Sequence, residues 1–177
     1  MTISILKVTD SSLYQNSQII YITSESLTEV NITDFTFEES YIAPSTPQDP
    51  KFLFNLQGCD KVFIENILLT ANLIHGCFIL FRFDGMTNSS GFINNFVINQ
   101  SQFYSGPDYN FSIPSSFFRS RNQFPLNLRN YRIENSSIDF RGNEFTPFYN
   151  MTLDIDYHEY NQVLSHTGQE FYKYRSE

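Results

Sequence analysis

The chain has 177 residues, of which 41% are hydrophobic, and this is enough for one domain with a core of ordinary size. Nineteen acidic residues against eleven lysines and arginines give a formal net charge of −8, which repels nucleic-acid phosphates and anionic lipid headgroups and argues against nucleic acid as a partner. The 19 Phe and 11 Tyr residues, with no Trp, favour strands over helices, and the apolar runs are too short for a membrane span.

Five segments of the chain, taken in order, share one pattern. A bend residue is followed by apolar residues one and three positions later, by a small polar residue six positions later, and by a further apolar residue two positions beyond that. The segments begin at Ile5, Asp34, Asn66, Asn95 and Asn130, so the successive starts lie 29, 32, 29 and 35 residues apart. Near-regular spacing with variable insertions is typical of a solenoid, in which a constant core carries loops of changing length.

Two further apolar stretches precede each bend residue. The nearer stretch alternates apolar and polar residues, as in Val30–Ile32 and Val62–Ile64, which is the period of a strand. The farther stretch is a short apolar run bounded by turn residues, such as 52–56 and 78–83. The sequence therefore predicts an all-β fold with three strands per coil.

Asparagine recurs where the alternation breaks, because it tolerates the left-handed backbone conformation of a sharp bend. Stacked coils would align these side chains into a ladder of amide hydrogen bonds, unless the residues are unrelated turn asparagines. A second polar stack is predicted six positions later. The first ladder would contain Asp34, Asn66, Asn95 and Asn130, and the second Ser40, Asn72, Ser101 and Ser136.

The Asn-led segments resemble the right-handed parallel β-helices of the pectin-lyase-like family, especially the degenerate repeats in large surface proteins of protists such as ciliates. The resemblance covers roughly residues 3–151. The repeats themselves predict about five coils of roughly 29–35 residues over residues 1–156, followed by a non-repeat tail at 157–177. The family includes enzymes, adhesins and structural proteins, so the resemblance implies an architecture and no activity.

Catalytic residues are not predicted. Enzymes of that family place clustered carboxylates, or acidic calcium ligands with a basic residue, on the outer face of one sheet. Alternation leaves Arg82 as the charged residue on the corresponding face, and Asp154 with Asp156 is the only weak candidate pair. The three histidines lack metal-ligand spacing. We expect no enzyme activity, no cofactor and no metal.

Acceptor sequences for N-glycosylation are more frequent than the serine and threonine content predicts, although an Asn-rich chain produces some by chance. We therefore expect a secreted or cell-surface glycoprotein. Residues 1–10 do not resemble a secretory signal, so the signal would lie outside this segment. The acceptors are Asn31, Asn88, Asn99, Asn110, Asn135 and Asn150.

The two cysteines, Cys59 and Cys77, fall at opposite ends of aligned strands, and their predicted separation is too large for a disulfide. We expect both thiols to be unpaired within the chain, and either buried or bonded to another chain.

An apolar row is predicted on the outer face of the farther strands, where a solvated face would be polar. A partner chain, a neighbouring protomer or the C-terminal tail could cover it, or the strand register is off by one residue. The row contains Tyr21, Leu53, Phe78, Leu80 and Phe117.

The favoured function is a non-catalytic scaffold in a filament or coat. Neither end of the coil stack has a recognisable cap, so other protein chains are the expected partners, through the coil ends and the apolar row. A carbohydrate-binding or adhesive module, with Tyr104, Tyr109 and Phe111 as contact aromatics, is the alternative. A further alternative is that the chain is an accessory subunit of a large organellar complex.

Overall fold

A computed structural model describes residues 1–13, 18–42, 51–76, 78–84, 89–104, 115–139, 148–155, 158–161 and 164–165. Every regular element in these ranges is a strand. The long strands are β1 (Thr2–Thr9), β3 (Gln18–Glu38), β5 (Lys51–Thr70), β7 (Phe78–Asp84), β8 (Ser90–Asn99), β10 (Ser116–Glu134), β12 (Phe148–Ile155) and β13 (His158–Asn161). The short strands are β2 (Ser12–Leu13), β4 (Tyr41–Ile42), β6 (Leu73–His75), β9 (Gln102–Tyr104), β11 (Ser137–Asp139) and β14 (Leu164–Ser165).

The strands form two parallel sheets. In the large sheet the order is β1-β3-β5-β7-β10-β12, with β8 between β5 and β10 and with β13 beside β10. The small sheet has the order β14-β11-β9-β6-β4-β2. Each strand pairs with its counterpart one coil away, so the predicted all-β parallel solenoid is confirmed. Four complete coils lie between the first coil, which begins at β1, and a last coil of shorter strands.

Five successive coils each bend at two left-handed residues. The first bend falls at the five predicted starts, Ile5, Asp34, Asn66, Asn95 and Asn130, where φ lies between 52° and 58°. The second bend, five positions later, was not anticipated, because Glu39, Ala71 and Gln100 are residue types that seldom adopt this conformation. The positions of the second bend are Asp10, Glu39, Ala71, Gln100 and Asn135.

A buried polar ladder follows the second bend. The Ser40 N–H donates to Asn72 Oδ1 at 3.1 Å, the Asn72 N–H donates to Ser101 Oγ at 3.2 Å, and the Ser101 N–H donates to Ser136 Oγ at 3.1 Å. In this way each coil supplies the acceptor for a buried N–H of the coil before it, as buried backbone groups require. We call Ser11, Ser40, Asn72, Ser101 and Ser136 the inner polar ladder.

Replacing one ladder hydroxyl should destabilise the protein. Ser101 Oγ also donates to the Asn99 carbonyl, and Ser101→Ala leaves the buried Asn72 N–H without its acceptor. We expect the free energy of unfolding, measured by urea denaturation, to fall by about 1–3 kcal/mol. The matched control is Ser11→Ala, because Ser11 Oγ lies at the exposed end of the ladder and donates to the Thr9 carbonyl. Its effect should stay within about 0.5 kcal/mol; equal losses would contradict the ladder's role.

The core is filled by aromatic rings that stack from coil to coil. The ring centroids of Phe54 and Phe81 lie 4.4 Å apart, those of Phe81 and Phe118 lie 5.3 Å apart, and those of Phe118 and Phe148 lie 5.4 Å apart. Gly91 makes room for a further ring, because a Cβ at this position would come within 2.8 Å of the Phe124 ring. The Phe-rich composition is thus used in the interior, where one ring packs on the next.

The predicted apolar outer row is wrong for four of its five residues. Two successive residues face the core in three coils, at Leu53–Phe54, Leu80–Phe81 and Phe117–Phe118, so the period of two is interrupted and the residues before this point face opposite to the prediction. Phe78 and Phe117 both pack against the buried ring of Phe103. Tyr21 is 56% exposed, whereas the buried members are Leu53, Phe78, Leu80 and Phe117.

The corrected orientation predicts opposite results for two substitutions. Leu80→Ala removes a side chain with no exposed area and should lower the free energy of unfolding by about 2–5 kcal/mol. Tyr21→Ala, on the outer surface, should change it by no more than about 0.5 kcal/mol. Thermal and urea unfolding of the two variants measure both values. A small decrease in the free energy of unfolding for Leu80→Ala would contradict the inward orientation of Leu80.

The solenoid continues beyond the predicted domain boundary at residue 156. β13 pairs with β10, and β14 pairs with β11, both in parallel. The last coil lacks an Asn-led segment, so its strands carry no repeat signature in the sequence. The solenoid therefore reaches at least Ser165, and residues 166–177 of the predicted tail lie outside the described part of the chain.

Candidate functional site

The first coil leaves one end of the core open. Its inward residues Ile3, Leu6, Val8 and Leu13 are only partly buried, although their counterparts in the next coil are fully buried. Within the described residues, β1 pairs with β3 on one side and with no strand on the other. Ile5 is 80% exposed at the bend of this coil. An open strand edge above exposed apolar residues is a surface on which another strand can add.

Hydrogen bonds join three of the four residues proposed for the first ladder, which we call the outer amide ladder. Asn66 Nδ2 donates to Asp34 Oδ1 at 2.8 Å, and Asn95 Nδ2 donates to Asn66 Oδ1 at 3.1 Å. Asn130 Nδ2 instead donates to Asn94 Oδ1 at 3.0 Å, one residue away from the expected acceptor. These bonds are exposed and hold the first bends in line.

A partly exposed aromatic pair lies on the outer face of the large sheet. Phe63 is 38% exposed, and its ring centroid lies 6.4 Å from that of Phe92, which occupies the same position one coil later. We call these two residues the aromatic strip. It borders a groove of about 390 Å³ that continues to Asn127 and Asp154, and Asn127 Nδ2 donates to Asp154 Oδ2 at 2.8 Å.

The aromatic strip was missed in the sequence, although its signal was present. The alternation that turns Val62 and Ile64 into the core also turns Phe63 outward. On the other side of the strip, Asn31 is the partner of Phe63 in the adjacent coil. An acceptor asparagine, the exposed ring of Phe63 and the half-buried ring of Phe92 therefore follow one another across neighbouring strands.

A second groove, of about 360 Å³, lies along the small sheet. Tyr104, proposed as a contact aromatic, is 41% exposed there, and its ring centroid lies 4.9 Å from that of His75. Burial lowers the pKa of the His75 imidazole. Tyr109 and Phe111, the other two proposed aromatics, lie outside the described residues.

The outer face of the farther strands carries arginines. Arg82 and Arg119 are partners in register, Arg82 Nε donates to Asp84 at 2.7 Å, and Arg119 lies over the Tyr149 ring. Asp84 is the carboxylate on this face in the described part, so the paired acids used for glycoside hydrolysis are not brought together there. Asp156, the proposed partner of Asp154, falls outside the described ranges, which also hold no group of three residues suited to bind a metal ion.

The acceptor asparagines differ in how the fold uses their amides. Asn135 Nδ2 donates to Asn99 Oδ1 at 3.2 Å, and Asn150 Nδ2 donates to the carbonyls of Ser120 and Arg121. Asn31 is partly buried, and its side-chain Nδ2 donates to the exposed Glu29 carboxylate at 2.8 Å. Asn88 and Asn110 lie outside the described residues.

Cys59 is buried and unpaired in the described part of the chain. Burial raises the pKa of its thiol, and the charge of Asp60 adds to the effect. A buried thiol of this kind is a packing residue with low reactivity. Cys77 lies outside the described residues, so its predicted separation from Cys59 is untested.

No helix in the ranges that the structure describes has the length and hydropathy needed to cross a membrane. Comparison of the chain with protein-family models, with curated proteins and with solved structures finds no significant match.

Proposed function

We propose that this chain is a non-catalytic structural component of an extracellular or surface assembly, a filament or coat, that carries N-linked glycans and associates by stacking of its coil ends. The observation that carries the proposal is the first coil, where none of the described strands pairs with the outer edge of β1 and the inward residues Leu6 and Val8 are incompletely covered. The likeness of the repeats to β-helix regions of large surface proteins supports the same role.

The partner that best fits this end is a second copy of the chain. The coils pair in parallel along the whole described stack, with register shifts at 23–27 and 119–124, so the last coil of one copy would offer a parallel strand to β1 of the next. Contact between two different surfaces of identical subunits propagates into a filament when it does not close. The inner polar ladder would continue as well, since Ser11 Oγ can accept an N–H from a preceding coil.

The free hydrogen-bonding groups of β1 can be assigned. The Asn31 N–H donates to the Met1 carbonyl at 2.9 Å, so this carbonyl faces β3. Because the peptide bond is trans, the N–H of Thr2 points to the opposite, open side. Backbone groups alternate with a period of two along a strand, so the N–H of Ser4 also points to the open side.

Proline at position 4 should block association without unfolding the coil. Ser4→Pro removes an N–H that no described strand uses and places the proline ring at the edge where another strand would add. We expect the association constant, measured by sedimentation velocity over a concentration series, to fall by about tenfold or more. The melting temperature of the dissociated protein should remain unchanged.

The control is Ser4→Ala, which keeps the N–H and should associate like the parent chain. Site-resolved mass spectrometry of the same preparation, made in a secretory host, reports the glycans. A monomer without glycans at every concentration would overturn the proposal and favour a binding module or an accessory subunit of an organellar complex.

A carbohydrate-binding module is the second candidate, and one observation favours it. Tyr104 exposes its ring in the groove of the small sheet, beside Gln102 and Asp139, and an aromatic face next to hydrogen-bonding groups suits a sugar ring.

This candidate predicts that Tyr104→Ala weakens binding to immobilised glycans by about tenfold, because the stacking surface is lost. Tyr21→Ala is the matched control, since Tyr21 is exposed on the large sheet and should not affect binding. A glycan array compares the three proteins. Glycan binding that is equal in all three proteins, or absent from the parent chain, would exclude this groove as a carbohydrate-binding site.

A further inference from the structure

The aromatic strip raises the question of what covers it. Large apolar side chains on a solenoid surface are normally isolated, whereas Phe63 and Phe92 are adjacent in register and their rings lie 6.4 Å apart. The strip is flanked by polar and charged side chains on the neighbouring positions of the same strands. These flanking residues are Lys61, Glu65, Ser90 and Asn94.

We propose that the occupant of the strip is a glycan attached to Asn31 of the same chain, whose first sugar rings pack on Phe63 and then on Phe92. Asn31 and Phe63 are partners in adjacent coils, so the attachment atom starts about one strand spacing, roughly 4.8 Å, from the aromatic strip. This inference rests on the proposed function in one respect: the chain must pass through a compartment that glycosylates asparagine.

Asn31 suits the modification better than Asn150. The side-chain amide of Asn31 makes one hydrogen bond, to the exposed carboxylate of Glu29, and the N–H that a glycosylated amide retains can still make it. The side-chain amide of Asn150 donates to two backbone carbonyls. A glycan on Asn150 would therefore remove a hydrogen bond from the fold.

The chemistry of attachment is a single group transfer. Asn31 Nδ2 forms a bond to the anomeric carbon of a lipid-pyrophosphate-linked oligosaccharide, the bond from that carbon to the pyrophosphate oxygen breaks, and the lipid pyrophosphate leaves. Nδ2 loses one proton to a base of the glycosylating enzyme and retains one. Thr33, two residues along the same strand, supplies the hydroxyl that completes the acceptor sequence.

The geometry favours packing over a freely moving glycan. Asn31 and Phe63 are directly opposite each other across two paired strands, the arrangement in which side chains interact most strongly. A sugar presents apolar C–H groups on its face and hydroxyls at its rim, so the rings of the strip and the charged residues beside them match both parts. The glycan leaves the side of the solenoid and does not obstruct the coil end.

A thermal double-mutant cycle tests the packing, with the full chain produced in a secretory host. Thr33→Ala removes the acceptor sequence while Asn31 remains, and Thr33→Ser, the matched control, preserves glycosylation. We expect Thr33→Ala to lower the melting temperature by about 2–4 °C relative to Thr33→Ser. In a Phe63→Ser background the same comparison should give no difference, because the packing surface is gone.

Hydroxyl-radical footprinting gives a second readout that does not depend on stability. Oxidation of the Phe63 ring should be severalfold slower in the Asn31 glycoform than in the aglycosylated protein, whereas oxidation of Tyr21 should be equal in both. A glycan at Asn31 that leaves Phe63 oxidation and the thermal cycle unchanged would overturn the inference.

The outcomes separate this inference from the proposed function. If Asn31 carries no glycan while the chain still forms filaments that Ser4→Pro disrupts, the strip inference fails and the stacking proposal stands. If the glycan packs on Phe63 but the chain remains monomeric, the stacking proposal fails alone.

Discussion

Each coil lies one strand spacing from the next, and this constraint fixes the surroundings of every side chain. A residue has as neighbours its own counterparts in the coils before and after it, so each column along the solenoid must hold residues that pack well together. Phe54, Phe81, Phe118 and Phe148 satisfy this inside the core, where their rings lie 4.4–5.4 Å apart. The same constraint brings polar groups together where the chain bends.

The inner polar ladder solves the problem that the second bend creates. A left-handed bend turns backbone N–H groups into the interior, where no strand is placed to accept them, and a buried N–H without an acceptor destabilises a fold. Ser40, Asn72, Ser101 and Ser136 provide that acceptor for the coil before each of them. The ladder thereby permits a left-handed backbone at Glu39, Ala71 and Gln100, and the three residues have no ladder role of their own.

On the outer surface, the stacking of corresponding residues from coil to coil also brings together residues that are distant in sequence. Asn31, Phe63 and Phe92 lie in one row, and this juxtaposition connects an acceptor asparagine with an exposed apolar surface. The two proposals use different parts of the solenoid: stacking uses the open edge of β1, and the glycan uses the side. A net charge of −8 keeps the sides of neighbouring molecules apart, whereas contact through strand edges depends on hydrogen bonds and apolar area.

The sequence by itself determined the parts of the fold that repeat. The first bends at Asp34, Asn66, Asn95 and Asn130 and the inner polar ladder could be predicted, because a bend in the backbone and a buried polar stack both need particular residue types at a fixed spacing. Only the tertiary structure decided which way Leu53, Leu80 and Phe117 face, since two successive inward residues interrupt the alternation that the prediction assumed. It also decided where the solenoid continues, because β13 and β14 are held by pairing with the preceding coil and carry no repeat signature of their own.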